Sequence, residues 1–248
     1  VLSLLASKKA KGLFHKAISM SGYTTSISIE DAYNPVEKSS TSRYSSSKVI
    51  EKLVKKYGLA NYPGKNSNEQ IRELLLTIPI EDFFEIYAKR ASYDEIPLTT
   101  ADGIVIPKIG LKKALTKKEH VNIVPTIAGS NRDEVKLWLA TATYFVDLDY
   151  SLLGSILRIP KVDLSNEESF EAFNYYRSSA WKIRGVDVPL KSLSEAGNNS
   201  LYAYRYDWDD HRRHVIADFK KLIGAAHATE IPLLTGNMDL VGGYPLSD

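Results

Sequence analysis

The sequence predicts an α/β fold in three layers around a mostly parallel sheet. Residues 14–20, 122–128 and 201–207 are short runs with strand character, and the long stretches between them carry helical periods. Strands so far apart in sequence are joined by crossovers rather than tight turns, which is the connection a parallel sheet needs. The middle run is β-branched-rich and apolar on both faces, as in a strand inside such a sheet. With 248 residues, 44% of them apolar, the chain can bury a sizeable core, as one large domain or two small ones.

Residues 1–11 are apolar and small with a helical period, and Gly12 breaks that run before the 14–20 strand. Residues 23–44 are rich in Ser and Thr and contain an Asn34-Pro35 turn signal. Val49, Ile50, Leu53 and Val54 then space an amphipathic helix over 45–57, which Gly58 ends. Turn chemistry over 61–68 leads to helices over 69–77 and 80–90, the second entered after Pro79 resets the backbone. Asp102-Gly103, between short apolar runs in 98–107, reads as a tight hairpin with Gly103 supplying positive φ. A short helix over 111–115 precedes the middle strand. Residues 138–188 mix helical periods with punctuation at Pro160 and Pro189, and aromatics from Phe145 to Trp181 recur through them. A pocket wall and an ordinary helical core would both have that composition. Residues 201–207 alternate at period two, and residues 222–227 lead out of a loop.

A net charge of +2, from 32 basic and 30 acidic residues, offers no electrostatic case for nucleic acid or an anionic surface. The absence of cysteine excludes disulfides, thiolate nucleophiles and Cys-type zinc sites, which suits a reducing compartment or a bacterial source without fixing either. No apolar run approaches the roughly 20 residues of a membrane-spanning helix. No basic-plus-apolar leader opens the chain, but it starts at Val1 in what reads as mid-element, so an upstream segment is expected and could carry a targeting signal.

The residue that most suggests chemistry is His227, an imidazole between the small turn Gly224-Ala225-Ala226 and an acidic helix start at Glu230. A histidine that moves protons needs a carboxylate on its second ring nitrogen to fix its tautomer. Glu134, just past the end of the middle strand, is the candidate. Both residues follow strands, and the carboxyl ends of strands are where reacting groups collect in open α/β sheets. Each also has a plain structural reading: His227 as a satisfied or exposed histidine, Glu134 as a helix-start carboxylate beside Asp133.

Three strings in order, Gly12-Leu-Phe-His-Lys-Ala-Ile-Ser-Met-Ser-Gly22, the Gly129 to Glu134 run and the Gly224 to Asn237 run, resemble the type-B carboxylesterases of the α/β-hydrolase superfamily. The resemblance implies an α/β-hydrolase fold over residues 1–248, with helical decoration at about 45–90 and 138–190. It implies a carboxyl-terminal portion beginning just after the nucleophile, with amino-terminal strands and final helices missing. It assigns Glu134 as orienting acid, His227 as general base and acid and, more weakly, Ser21 as the serine behind the acid. It requires no cofactor and no metal, and its substrates are small-molecule carboxylic esters.

The chain departs from the pattern at Ala228, where the family usually has glycine, and at Val135, where it often does; either residue would be strained if its site needs positive φ. No Gly-x-Ser-x-Gly and no His-Gly-Gly run occurs in the chain, and neither Ser19 nor Ser21 sits in an elbow. The nucleophile is therefore expected upstream, and the isolated chain is expected to be inactive. Such a piece would leave a sheet edge and an apolar face uncovered, and so be poorly soluble alone. A non-catalytic binding or adhesion protein on the same scaffold, or a truncated product without function, is the alternative. Among weaker candidates, His211 and His214 around Arg212-Arg213 read as a solvated basic face rather than a metal site. Asp207, Asp209 and Asp210 read as a polar turn, and Asn198-Asn-Ser200 is a glycosylation pattern.

Overall fold

The computed structural model describes residues 1–33, 45–59, 67–88, 98–150, 160–211 and 216–236. In chain order its elements are α1 (Leu2–Leu5), β1 (Ala17–Met20), β2 (Ile27–Ser28), α2 (Ile29–Tyr33), α3 (Ser46–Tyr57), α4 (Ser67–Thr77), α5 (Ile80–Ala88), β3 (Thr100–Ala101), α6 (Leu111–Ala114), β4 (Thr126–Asn131) and α7 (Lys136–Leu139). There follow β5 (Val146–Asp149), β6 (Lys161–Leu164), α8 (Glu167–Lys182), a π-helical turn (Ile183–Asp187), α9 (Val188–Glu195), β7 (Leu201–Tyr206), α10 (Phe219–Leu222) and α11 (Ile231–Thr235). The Asn34-Pro35 and 61–66 turn signals and His214 lie outside the described residues. The chain forms two compact units, one of Val1–Thr24 with Leu115–Asp248 and one of Thr25–Ala114.

The three strands marked by the sequence form a single parallel sheet in the order β1-β4-β7. The middle strand is shifted from its expected place. Pro125 has no N–H for the ladder and only its carbonyl takes part, accepting from Ala17 N–H at 3.0 Å, so pairing begins at Thr126 and continues to Asn131. Gly129, expected to end the strand, lies within it opposite Tyr204, where a Cβ would occupy the space of the tyrosine ring. Gly129→Ala should therefore destabilise the first unit by about 2 kcal/mol. A lowered urea midpoint checks this, and an unchanged midpoint would mean the ring can swing aside at no cost.

One face of the sheet is covered. Ala17, Ser19, Thr126 and Ala128, which alternation places on the same side, are buried, and the helical run from α8 to α9 packs on β4 and β7. The opposite face carries the cross-strand row Ile18, Ile127 and Tyr202, exposed by 56%, 36% and 62%. This is the uncovered apolar face expected of an incomplete sheet.

The helical run begins where Asn166 accepts the Ser169 N–H at 2.8 Å, with Glu167 and Glu168 in the first turn. Pro189, expected as punctuation, sits in the first turn of α9, where a missing N–H costs nothing. Between α7 and α8 the expectation of helix alone was incomplete, because β5 and β6 form an antiparallel ribbon. Its alternation, Val-Asp-Leu-Asp and Lys-Val-Asp-Leu, was visible in sequence but short. The ribbon closes over a small core of Val146, Ala217 and Leu222.

In the second unit α3 is capped by Ser45, whose side chain accepts from Lys48 N–H, and is stopped by Gly58 at φ +69°. Val49 and Leu53 pack with Leu74, Phe83 and Ile86 from α4 and α5. The expected hairpin at 98–107 does not form. β3 pairs parallel with β2, and Asp102 Oδ1 accepts the N–H groups of Ile104, Val105 and Ile106 at 2.8–3.0 Å, using donors that a returning strand would need. Gly103 does adopt positive φ, +75°.

Candidate active site

The carboxyl ends of β1 and β4, with the loop after α10, bring together Ser21, Glu134 and His227, the three residues singled out from sequence. Glu134 follows the end of β4 and is wholly buried, 0% exposed. Its Oε2 is 2.7 Å from His227 Nδ1. Its Oε1 accepts from Ser21 Oγ at 2.5 Å and from the Asn131 N–H at 2.8 Å. The helix-start reading of Glu134 is thus replaced by a more specific one: both oxygens are engaged across the chain. A carboxylate only accepts, so Nδ1 carries the hydrogen in the neutral ring and the lone pair is left on Nε2. Among the described residues no hydrogen bond reaches Nε2. The hydrogen bond to Glu134, opposed by burial and aided by the charges of Glu134 and Glu230, holds the imidazole pKa above its ordinary value.

Two indoles flank the imidazole. Trp138 and Trp181 stack with ring centroids 5.7 Å apart, and their rings lie 5.4 Å and 5.0 Å from that of His227. Trp181 leaves α8 beside the π-helical turn and donates its Nε1–H to Ser21 O at 3.2 Å. Gly185 in that turn passes so close to the Gly22 carbonyl that no Cβ would fit. Part of the aromatic recurrence in 138–188 therefore belongs to the surroundings of His227, while Phe170 is fully buried as ordinary core.

Asp133, the neighbour of Glu134, fastens the histidine loop. Its Oδ2 accepts from Arg132 Nε and Nη2 and from Ala225 N–H, and its Oδ1 from Asn174 Nδ2 at 2.7 Å. Asp133 N–H donates back to Ala225 O at 3.0 Å. Burial pushes the carboxyl pKa up, but Arg132, Lys136, Asn174 and Ala225 together outweigh it and hold the group below its ordinary value. Gly224, at φ +52°, has room for no side chain, since a Cβ would lie 2.5 Å from Asp133 Oδ2. In the sequence only the family resemblance sets Glu134 apart from Asp133.

The two departures from the family pattern differ in consequence. Val135 has φ −87° and no strain, whereas Ala228 stands at φ +70°. Ala228→Gly removes roughly 1–2 kcal/mol of left-handed strain and adds roughly 0.5–1 kcal/mol of chain entropy. Thermal melts should show a small net gain, and a loss would mean the loop tolerates alanine there without strain.

The weaker candidates resolve into structure. His211 Nε2 lies 2.7 Å from Gly224 O and its ring packs edge-on against Trp208, while the basic residues that follow it lie outside the described residues. Asp209 and Asp207 pair with Arg132 and Arg205. Asn198 is 2% exposed, with its amide donating to Val124 O, so its nitrogen is not available to a glycan in this fold. No cluster of three metal-ligating side chains occurs among the described residues, and no helix among them is long and apolar enough to cross a membrane.

Solved structures similar to this chain include esterases. A thermophilic pNB esterase superposes with TM-score 0.59 at 18% identity, over 100% of this chain and 47% of its own. The chain has an α/β-hydrolase fold. A pNB esterase matches with TM-score 0.53 at 20% identity over 97% of this chain and 47% of its own. A Geobacillus stearothermophilus carboxylesterase gives 0.56 at 22%, over 96% and 45%. The chain therefore spans somewhat under half the length of these structures. No family model matches it by sequence, and no curated protein sequence does.

Proposed function

We propose that these residues are the carboxyl-terminal part of a serine carboxylesterase, in which Glu134 and His227 work as acid and base on a serine supplied from outside the 248 residues. The observation that carries this reading is the hydrogen bond from His227 Nδ1 to Glu134 Oε2, with the other Glu134 oxygen held by Ser21 and Asn131. The esterase names of the fold neighbours support it. In the reaction the serine hydroxyl attacks the ester carbonyl and gives its proton to His227 Nε2; His227 then passes that proton to the departing alcohol, leaving an acyl-enzyme. Water repeats the sequence and releases the acid. Glu134 keeps Nδ1–H in place and stabilises the imidazolium in both halves. Ser21 fixes the carboxylate and is not the nucleophile. The substrate is a small carboxylic ester, and no metal or cofactor takes part.

A fluorophosphonate probe tests the division of labour. The full-length protein should be labelled on a serine outside this chain, and the 248-residue chain alone should remain unlabelled and inactive towards esters. Labelling of Ser19 or Ser21 would overturn the reading.

A further inference from the structure

Glu230 is a second carboxyl group whose charge reaches the histidine, buried to 4% exposure and assigned no part in the reaction above. It lies at the start of α11, three positions after His227, and α11 begins with Pro232 in its first turn. Asn131, the last residue of β4, links it to the rest of the site. The Asn131 backbone N–H donates to Glu134 Oε1 at 2.8 Å, and its side-chain Nδ2 donates to Glu230 Oε2 at 2.5 Å and to Ala226 O at 2.6 Å. One residue thus ties both carboxylates and the carbonyl that immediately precedes His227.

Asn131 Oδ1 and the Tyr204 hydroxyl are buried with no hydrogen-bond partner among the described residues. Burial first, then the charges of Glu230 and Glu134, push the Tyr204 phenol up to about 12, so it remains protonated and neutral. Tyr206, also on β7, feels Glu230 and donates to Thr229 O at 3.2 Å. With both tyrosines neutral and Trp138 and Trp181 uncharged, Glu134 and Glu230 are the charges that bear on His227. A charge in such a setting is poorly screened and acts at longer range than on a surface.

We infer that Glu230 is a positioning carboxylate for His227, acting through Asn131 to fix the histidine loop against Glu134 and adding its own negative charge near the imidazole. Glu134 orients the ring by direct contact, and Glu230 anchors the backbone that carries it. The inference deepens the esterase reading and takes its catalytic meaning from it, but its geometry stands without turnover.

The test is a pH titration of the His227 ring by NMR in full-length protein labelled at histidine, with His227→Ala used for assignment. Glu230→Gln preserves size and one acceptor for Asn131 and removes only the charge. It should lower the His227 midpoint by about half a pH unit, less than the 1–3 units that a contacting charge produces. Asn131→Ala keeps the backbone bond to Glu134 and cuts the bridge, and should speed amide exchange at His227 while leaving the remote β5–β6 ribbon unchanged. The acid limb of kcat/KM should move with the midpoint in Glu230→Gln. An unmoved midpoint in Glu230→Gln overturns the inference, and that variant decides the matter alone if Asn131→Ala fails to fold. Loss of the esterase reading would be seen separately, as turnover that survives His227→Ala while the titration still responds to Glu230.

Discussion

Glu134→Gln in the full-length protein is expected to lower kcat for a short-chain 4-nitrophenyl ester by about 10⁴-fold, with KM little changed. The size of the effect follows from which donors hold each oxygen. Oε1 accepts two donors, from Ser21 and Asn131, so the glutamine carbonyl must take that position. The amide nitrogen is then forced onto His227 Nδ1 and presents hydrogens to it, which drives the ring hydrogen to Nε2 and removes the base. The pH profile supplies a second reading. The folded His227 pKa is raised, chiefly by the hydrogen bond to Glu134, so the acid limb of kcat/KM should lie above the ordinary histidine value of 6.5, and activity should fall as pH drops through it. The stability contributed by the pair has the opposite sense: it is fully present below the unfolded value and is lost as pH rises through the folded one. A Glu134→Gln enzyme of near-normal kcat would show that Glu134 is only structural.

Asp133→Ala is expected to lower stability by roughly 3 kcal/mol, a fall of roughly 10 °C in Tm. Its carboxylate serves four donor groups across three elements, and removing it leaves the Ala225 N–H and one Asn174 bond unmade in the interior and Arg132 dependent on Asp209. Because the Asp133–Ala225 pair closes the turn that carries His227, kcat should fall as well, even in folded protein well below Tm. A variant that melts like the parent would show that the Arg132–Asp209 pair and the backbone bond from Asp133 N–H are sufficient.

The parts of the fold that were legible in sequence are those set by local chemistry. Ser45 and Gly58 bound α3 as expected, and the alternation of residues 201–206 matches β7. Ser21, Glu134 and His227 could be named because the strings around them resemble a known family. What was not legible depends on contacts between distant residues. β4 runs through Gly129 because Tyr204 lies over it, and the 98–107 hairpin is replaced because Asp102 takes the backbone donors for itself. Asp133 and Glu230 look like ordinary acidic neighbours until Ala225 and Asn131 are brought against them. A period-two or helical pattern reports which side of an element is apolar, and it says nothing about which buried donor a carboxylate will meet.

The central claim is that His227 is the base of an ester hydrolase whose nucleophile lies outside these residues. Its most direct test is the kcat/KM of full-length His227→Ala for a short-chain 4-nitrophenyl ester, measured beside the parent. A loss of about 10³-fold or more is expected; a variant that hydrolyses the ester at the parent's rate would show that His227 is not the base.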